Sequence, residues 1–120
     1  MMHFVKMHGL GNDYVYMDGF STTLPNGDAA LKRLAVAVSD RHRGIGSDGL
    51  ILILPSSVAD IRMRMFNSDG SEAEMCGNGI RCVGRYALTR GLISRSDPSV
   101  ETGAGIRRLE IAENADMITV

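Results

Sequence analysis

The alternation of apolar and polar residues along the chain predicts several short strands. Phe4–Met7 and Tyr14–Asp18 are two such segments, separated by the turn-forming stretch His8–Asp13. Leu50–Leu54 is a continuous apolar run, which is typical of a buried strand. In Ile61–Met65 apolar and cationic residues alternate, as expected for a strand with one buried face. These patterns predict a sheet of short strands.

Two segments have apolar residues at the three- and four-residue spacing of an amphipathic helix. The first is Asp28–Val38, with Asn26 or Asp28 as its expected N-cap. The second is Asn78–Arg90, which is followed by Gly91, a residue type common just after a helix C-terminus. In the second helix, arginine and threonine side chains form the stripe opposite the apolar one.

The last part of the chain predicts a hairpin and one further strand. Val100–Thr102 and Ile106–Ile111 flank the turn Gly103–Gly105, and Met117–Val120 is apolar. About seven strands and two helices with short connections indicate an α+β fold with a mainly antiparallel sheet. Because the chain ends in a strand-like segment without a polar tail, residues 1–120 are expected to be one domain cut from a longer protein.

Composition and charge exclude several classes of function for this chain. The chain has 120 residues, of which 44% are hydrophobic and 22% charged, which suits one globular domain. A net charge of −1 argues against nucleic acid or a membrane surface as partner, and no apolar stretch approaches the ~20 residues of a membrane span. Since no secretory signal is visible, the expected location is the cytoplasm, where the two cysteines would be reduced.

Glycine makes up 14 of the 120 residues and clusters in loops. Gly44–Gly49 matches the G-x-G-x-x-G pattern of dinucleotide sites, which need a strand before the glycines and a helix after them. Here the predicted helix precedes the motif and the strand follows it, which favours an ordinary tight loop. The oxygen-rich stretch Asn67–Glu72 lacks the glycine and glutamate spacing of a calcium loop. The sequence therefore predicts neither a cofactor site nor a metal site.

Cys76 lies just before the second predicted helix and is followed by Gly-Asn-Gly. A thiolate there faces backbone N–H groups and the positive end of the helix dipole, a setting that lowers a cysteine pKa from ~8.5 to between ~3.5 and ~7.5. Because Gly77 and Gly79 carry no side chains, the same N–H groups can bind a substrate carboxylate. Glu72 and Glu74 oppose the thiolate unless they point to solvent. The alternative is a small buried cysteine without a catalytic role.

The other cysteine, Cys82, lies about 9 Å further along the helix and about 240° around it. The two thiols therefore cannot flank one carbon atom, and a packed core thiol is the favoured interpretation. His42 lies between two arginines, where a solvated loop is the simplest explanation. Either His42 or His8 near Cys76 would make a Cys–His nucleophile pair, but the sequence does not place the histidines.

Three segments read together resemble the diaminopimelate epimerase family: Lys6–Tyr14, Arg41–Gly49 and Phe66–Cys82. Thr102–Arg107 is similar to a later motif of that family. The resemblance implies a cofactor-independent isomerase that converts LL-2,6-diaminopimelate to the meso form, on the bacterial route to lysine and peptidoglycan. It also implies two similar α+β domains, each a sheet wrapped around a central helix, with the amino-acid substrate between them. The full-length form is implied to be a homodimer.

In that family one cysteine from each domain begins a central helix, and the pair transfers the α-proton on opposite faces of the substrate. By resemblance, Cys76 is the acid/base of the first domain. Gly77 and Asn78 correspond to the backbone cradle of the reacting carboxylate. Asn12 and Asn67 correspond to side-chain contacts with the substrate.

Two departures from the family pattern matter. Many members carry glutamine where this chain has Gly49, so that substrate contact is lost or comes from another group. The second catalytic cysteine and the residues for the distal end of the substrate are absent, so the second domain of the same protein is the expected partner and the isolated chain is expected to be inactive. A related racemase or isomerase of another amino acid, an inactive substrate-binding half-domain and a Cys–His hydrolase are the alternatives.

Overall fold

The computed structural model describes residues 5–9, 12–20, 24–25, 27–42, 46–74, 77–93, 97–111 and 118–119. In chain order the elements in these ranges are β1 (Val5–Gly9), β2 (Asn12–Asp18), α1 (Asp28–Ser39), β3 (Gly49–Leu54), β4 (Ile61–Asn67), β5 (Glu72–Ala73), α2 (Gly77–Thr89), β6 (Ser99–Thr102), β7 (Gly105–Arg108), β8 (Glu110–Ile111) and β9 (Ile118–Thr119). Within the same ranges, no helix has both the length and the apolar character needed to cross a membrane.

Seven strands form one sheet in the order β1-β2-β3-β4-β6-β7, with β5 also paired to β4. Pairing is antiparallel except between β2 and β3 and between β4 and β6. Each parallel pair has a helix in its connection, because strands that run in the same direction need a crossover. β8 and β9 form a separate antiparallel pair. The predicted α+β class and mainly antiparallel sheet are confirmed.

The two helices cover opposite faces of the large sheet. α2 packs on the face that includes Tyr16, Ile51 and Met63, and α1 packs on the face that includes Val15 and Leu52. The first five residues of β3 are buried, which explains why this strand is a continuous apolar run. α2 also contacts β9, so it lies between the two sheets. This is the central helix that the family resemblance implies.

Some predicted boundaries are wrong. The turn predicted at His8–Asp13 is shorter, because strand pairing extends two residues further on each side. Asp28 is the first helical residue of α1 and not its N-cap; the N-cap is Gly27, at a φ of 87° and with no side-chain capping bond. The other N-cap candidate, Asn26, lies outside the described residues. α1 therefore begins after a glycine with a positive φ, whereas the sequence predicted a capping side chain.

Among the later elements, one strand prediction is wrong and the prediction of the second helix is confirmed. The predicted strand Ile106–Ile111 is interrupted at Leu109, whose side chain is buried and whose N–H donates to the Pro98 carbonyl at 2.9 Å. This interruption separates β7 in the large sheet from β8. The second helix agrees with its prediction to one residue at each end, and Gly91 follows it at a φ of 72° as expected.

A buried hydrogen bond ties α2 to β2. Tyr86 donates its hydroxyl to Asp18 Oδ2, and the Phe20 N–H donates to Asp18 Oδ1 at 3.1 Å. Asp18 is 2% exposed and Tyr86 is 5% exposed. Burial, followed by the hydrogen bond to Asp18 and the charge of that carboxylate, raises the pKa of Tyr86 to about 12. The fold therefore requires the protonated hydroxyl.

Tyr86→Phe is expected to lower the free energy of unfolding by about 1–3 kcal/mol at neutral pH, because a buried carboxylate loses a hydrogen-bond donor. Because the pKa of Tyr86 is raised, the protonated hydroxyl stabilises the folded state fully below pH ~10. This stabilisation, about 3 kcal/mol, is lost as the pH rises towards 12. Urea unfolding between pH 7 and 12 measures both effects. The difference between wild type and Tyr86→Phe should shrink above pH 10, and a constant difference would contradict the assignment.

Candidate active site

α2 begins at Gly77, the residue that directly follows Cys76. Cys76 itself lies outside the described residues, so its prediction as an acid/base stays a prediction. The backbones of Gly77 and Asn78 occupy the first two positions of α2, where N–H groups have no acceptor within the helix. The first turn contains no acidic residue, so no charge within it offsets the positive end of the helix dipole. This end of α2 is suited to bind a carboxylate.

Strand register brings the backbones of the two candidate asparagines to one end of the sheet. Asn67, the last residue of β4, pairs with Gly49 at the start of β3, and Gly49 pairs with Tyr14. Asn12, the first residue of β2, lies two residues before Tyr14. With about 4.8 Å between strands and about 3.3 Å per residue, the two asparagine backbones are about 12 Å apart. The two positions can therefore line one site.

The turn after β4 orients the Asn67 side chain. Asn67 Nδ2 donates to Ser71 Oγ at 3.0 Å, and Ser71 Oγ donates to Asp69 Oδ1 at 2.6 Å. Ser71 N–H donates to the same carboxylate oxygen at 2.9 Å, and the two bonds from Ser71 lower the pKa of Asp69. The Gly70 N–H closes the turn on the Asn67 carbonyl at 2.9 Å. Ser71 and Asp69 thus hold the carboxamide, whereas in the sequence they stood out only as part of an oxygen-rich stretch.

Arg64 neutralises Glu72, one of the two carboxylates expected to oppose a thiolate at position 76. Arg64 Nε and Nη2 donate to the two oxygens of Glu72, each at 2.9 Å, and Nη2 also donates to Asp28 at 3.1 Å. The guanidinium lies 5.2 Å from the centroid of the Phe66 ring. The Arg64 hydrogen bonds lower the pKa of Glu72, while the bond to Glu72 raises the pKa of Arg64. Glu74, the second carboxylate, is exposed to solvent.

Gly49 stands where many members of the resembled family have glutamine. A Cβ built on Gly49 would lie 2.3 Å from the Phe66 carbonyl oxygen and 3.2 Å from Tyr14 Cε1. The carbonyl belongs to the paired strand β4, so it cannot rotate away as a side chain would. A side chain at position 49 therefore requires the backbone of β3 or β4 to move from the positions seen in this structure.

Other candidate residues have simpler structural roles. Cys82 is half-buried on α2 and packs against the core on that side, which confirms the predicted core thiol. His42 is exposed, and its backbone N–H donates to Asp40 Oδ1 at 2.8 Å. Of the segment Gly44–Gly49, residues 44 and 45 lie outside the described residues and Gly49 begins β3, so α1 precedes the motif and the strand follows it, as predicted. Across the described ranges, His, Cys, Asp and Glu side chains form no group of three that could hold a metal ion.

Solved structures of other proteins share this fold. The chain aligns with a PhzF-family phenazine biosynthesis protein of Bacillus anthracis at 26% identity and a TM-score of 0.67, covering 95% of this chain and 36% of that one. It aligns with a hydroxyproline epimerase of Agrobacterium vitis, crystallised with trans-4-hydroxy-L-proline, at 22% identity and a TM-score of 0.68, covering 95% and 39%. The fold is the α+β domain that these proteins share.

Comparison of the sequence with known protein families shows the family of this chain. The family model of diaminopimelate epimerase matches residues 4–120, so the chain belongs to the diaminopimelate epimerase family. The diaminopimelate epimerase of Methanococcus maripaludis strain C5 is 58% identical over 120 residues, which cover 99% of this chain and 42% of that protein. The chain thus spans about two fifths of the length of this relative. The resemblance seen in the sequence motifs is confirmed.

Proposed function

We propose that this chain supplies one half of the active site of a cofactor-independent diaminopimelate epimerase, which interconverts LL- and meso-2,6-diaminopimelate. The observation that carries the proposal is the start of α2 at Gly77, directly after Cys76, in a chain of this family. In the proposed arrangement, the thiol lies beside a set of amides that can bind a carboxylate. The register that brings Asn12 and Asn67 to one end of the sheet adds support.

Cys76 acts as one of two acid/base groups in the proposed reaction. As a thiolate it removes the α-proton, and the electron pair left on the α-carbon delocalises into the adjacent carboxylate. The N–H groups of Gly77 and Asn78 donate to that carboxylate and stabilise the charge as it develops. A thiol on the opposite face then delivers a proton to the α-carbon. The configuration inverts, Cys76 becomes a thiol and its partner becomes a thiolate.

The partner thiol and the contacts to the distal end of the substrate are assigned to a second domain of the same protein. Cys82 does not supply the partner, since it packs against the core on α2. Residues 1–120 then form the N-terminal half-domain, with Asn12 and Asn67 contacting the small amino-acid substrate. The full-length enzyme is proposed to be a cytoplasmic homodimer that needs neither cofactor nor metal.

The test is a chimera in which this chain replaces the matching 120 residues of the Methanococcus maripaludis diaminopimelate epimerase. We expect the chimera to epimerise LL-diaminopimelate in D₂O, followed by NMR of the α-proton, and we expect this chain alone to be inactive. The unmodified relative is the positive control. A folded chimera without exchange would contradict the proposal, whereas exchange with a different amino acid only would indicate a racemase of another specificity.

Ser71→Ala in the chimera is expected to weaken substrate binding about fivefold to tenfold, or about 1 kcal/mol, because Asn67 loses the hydrogen bond that orients its carboxamide. Most of the change should appear in KM rather than kcat, measured in the same epimerisation assay. Ser68→Ala is the matched control, since Ser68 is exposed in the same turn. Equal KM values for the two variants would argue against the role assigned to Ser71.

A further inference from the structure

A surface groove of about 550 Å³ lies between α1 and the turn that follows β4. Its volume falls within the ~300–1,000 Å³ that is usual for small-molecule sites. Residues 32, 33, 36 and 37 of α1 form one wall, and residues 69–71 of the turn form the other. The groove therefore lies on the face of the sheet that α1 covers, opposite the face that packs against α2.

The two walls meet at Gly70, which is buried at a φ of 88°. A Cβ on Gly70 would lie 3.2 Å from the Lys32 carbonyl oxygen and 3.2 Å from Val36 Cγ2, so the turn rests directly on the helix. Beside this contact, Val36 is 47% exposed and Ala37 is also exposed, although both are apolar. The groove thus has an apolar floor that a hydrocarbon chain can cover.

The two walls carry opposite charges. Lys32 and Arg33 belong to the α1 wall and are exposed, whereas Asp69 belongs to the turn. Within the part of the chain that the structure describes, neither cationic side chain forms a hydrogen bond or an ion pair. Ser71 donates twice to Asp69 Oδ1, which lowers the pKa of this carboxyl and keeps it ionised at neutral pH. A ligand in the groove therefore meets two cations on one side and a carboxylate on the other.

We propose that this groove binds a short amino acid whose carboxylate and ammonium groups stand at opposite ends of an alkyl chain. The carboxylate pairs with Lys32 and Arg33, and the ammonium pairs with Asp69. The alkyl chain covers Val36 and Ala37, which removes their apolar surface from water. The inference goes beyond the function proposed above, because it uses no residue assigned to contact the substrate of that reaction.

The Asn67 carboxamide reports whether the groove is occupied. Asn67 Nδ2 donates to Ser71 Oγ at 3.0 Å, and Ser71 Oγ donates in turn to Asp69 at 2.6 Å. An ammonium that bonds to Asp69 draws on the same carboxylate as Ser71, so it changes the surroundings of the carboxamide. The side-chain amide resonance of Asn67 should therefore shift when the ligand binds.

The experiment is an NMR titration of this chain, isotope-labelled, with ε-aminocaproate. Caproate, which lacks the ammonium group, and hexylamine, which lacks the carboxylate, are titrated in parallel at the same ionic strength. We expect ε-aminocaproate to shift the resonances of Ala37, Ser71 and the Asn67 side chain, with a dissociation constant near ~1 mM, as suits a small ligand in an open groove. Caproate and hexylamine should each bind about threefold to fivefold more weakly, since each loses one exposed ion pair.

Three variants alter the groove and one serves as the matched control. Arg33→Gln removes a cation, and Asp69→Asn removes the negative charge but keeps an oxygen for Ser71. Ala37→Phe fills the groove without changing its charge. Arg81→Gln is the control, because Arg81 is an exposed arginine on α2, on the other face of the sheet. All four positions are exposed, so the substitutions leave the core intact.

Arg33→Gln and Asp69→Asn should each weaken binding of ε-aminocaproate about threefold to fivefold. Ala37→Phe should weaken it at least about tenfold, because the ring takes the place of the alkyl chain, and Arg81→Gln should bind as wild type does. A titration without saturation, equal binding by wild type and the three groove variants, or shifts confined to residues of α2 would overturn the proposal. Caproate or hexylamine that bound as tightly as ε-aminocaproate would overturn the assignment of an amino acid.

Discussion

Cys76→Ala is expected to lower α-proton exchange by the chimera at least about a thousandfold. General acid–base catalysis contributes typically ~10²–10⁴ in rate, and one alanine here removes the base for one isomer and the acid for the other. The loss should therefore appear in kcat with both the LL and the meso substrate. Deuterium incorporation at the α-carbon, followed by NMR, measures both directions.

Cys82→Ala is the matched control for this prediction. Cys82 is half-buried against the core, so its loss should reduce stability slightly and leave the exchange rate within about threefold of wild type. If the Cys76→Ala chimera kept more than about a tenth of the wild-type exchange rate, Cys76 would not be an acid/base of the reaction. Equal losses in the two variants would point to a structural effect shared by both cysteines.

Gly49→Ala is expected to destabilise the chain by about 3 kcal/mol or more, the upper end of the range for overpacked sites. The added Cβ would lie 2.3 Å from the Phe66 carbonyl oxygen, so strand β3 or β4 must move. Urea unfolding followed by circular dichroism measures the change. Gly49→Gln, which introduces the residue that many family members carry, should be at least as unstable, and in the chimera it should not improve KM.

Gly19→Ala separates this backbone clash from the general effect of adding a methyl group. Its Cβ would contact Leu54 Cδ2 at 2.9 Å, and that side chain can change rotamer. We expect a loss below about 1 kcal/mol. If Gly49→Ala and Gly19→Ala were equally stable, the pairing of β3 with β4 would tolerate a side chain at position 49. That result would contradict the explanation of Gly49 by a clash with the Phe66 carbonyl.

Elements with a local cause were predictable from the sequence. The limits of α2 were predicted to within one residue, because its apolar spacing and the glycine after it act within the segment. β5 was missed, since a strand of two residues has no pattern of its own and forms only by pairing with Met65 and Phe66. The break at Leu109 was missed for the same reason, because its amide bonds to Pro98 outside the strand.

The candidate site shows the same division. The residue types around Cys76 and the start of α2 indicated an acid/base beside an anion-binding helix end without any tertiary information. The pairing of Arg64 with Glu72 and the hydrogen bond from the Gly103 N–H to the Glu74 carbonyl could not be predicted, because both depend on which strands share the edge of β4. Residues that support a site from a distance are visible only once the strand order is known.

The burial of β3 on both faces has a consequence for how the sheet assembles. Shifting this strand by one residue would exchange only leucine and isoleucine between the two cores, so hydrophobicity alone scarcely distinguishes the correct alignment from a shifted one. In a shifted alignment Leu50 would stand opposite Asn67, beside the Phe66 carbonyl, where a Cβ does not fit. Gly49 therefore favours the observed alignment of β3 with β4 over an alignment that puts a larger residue at this point.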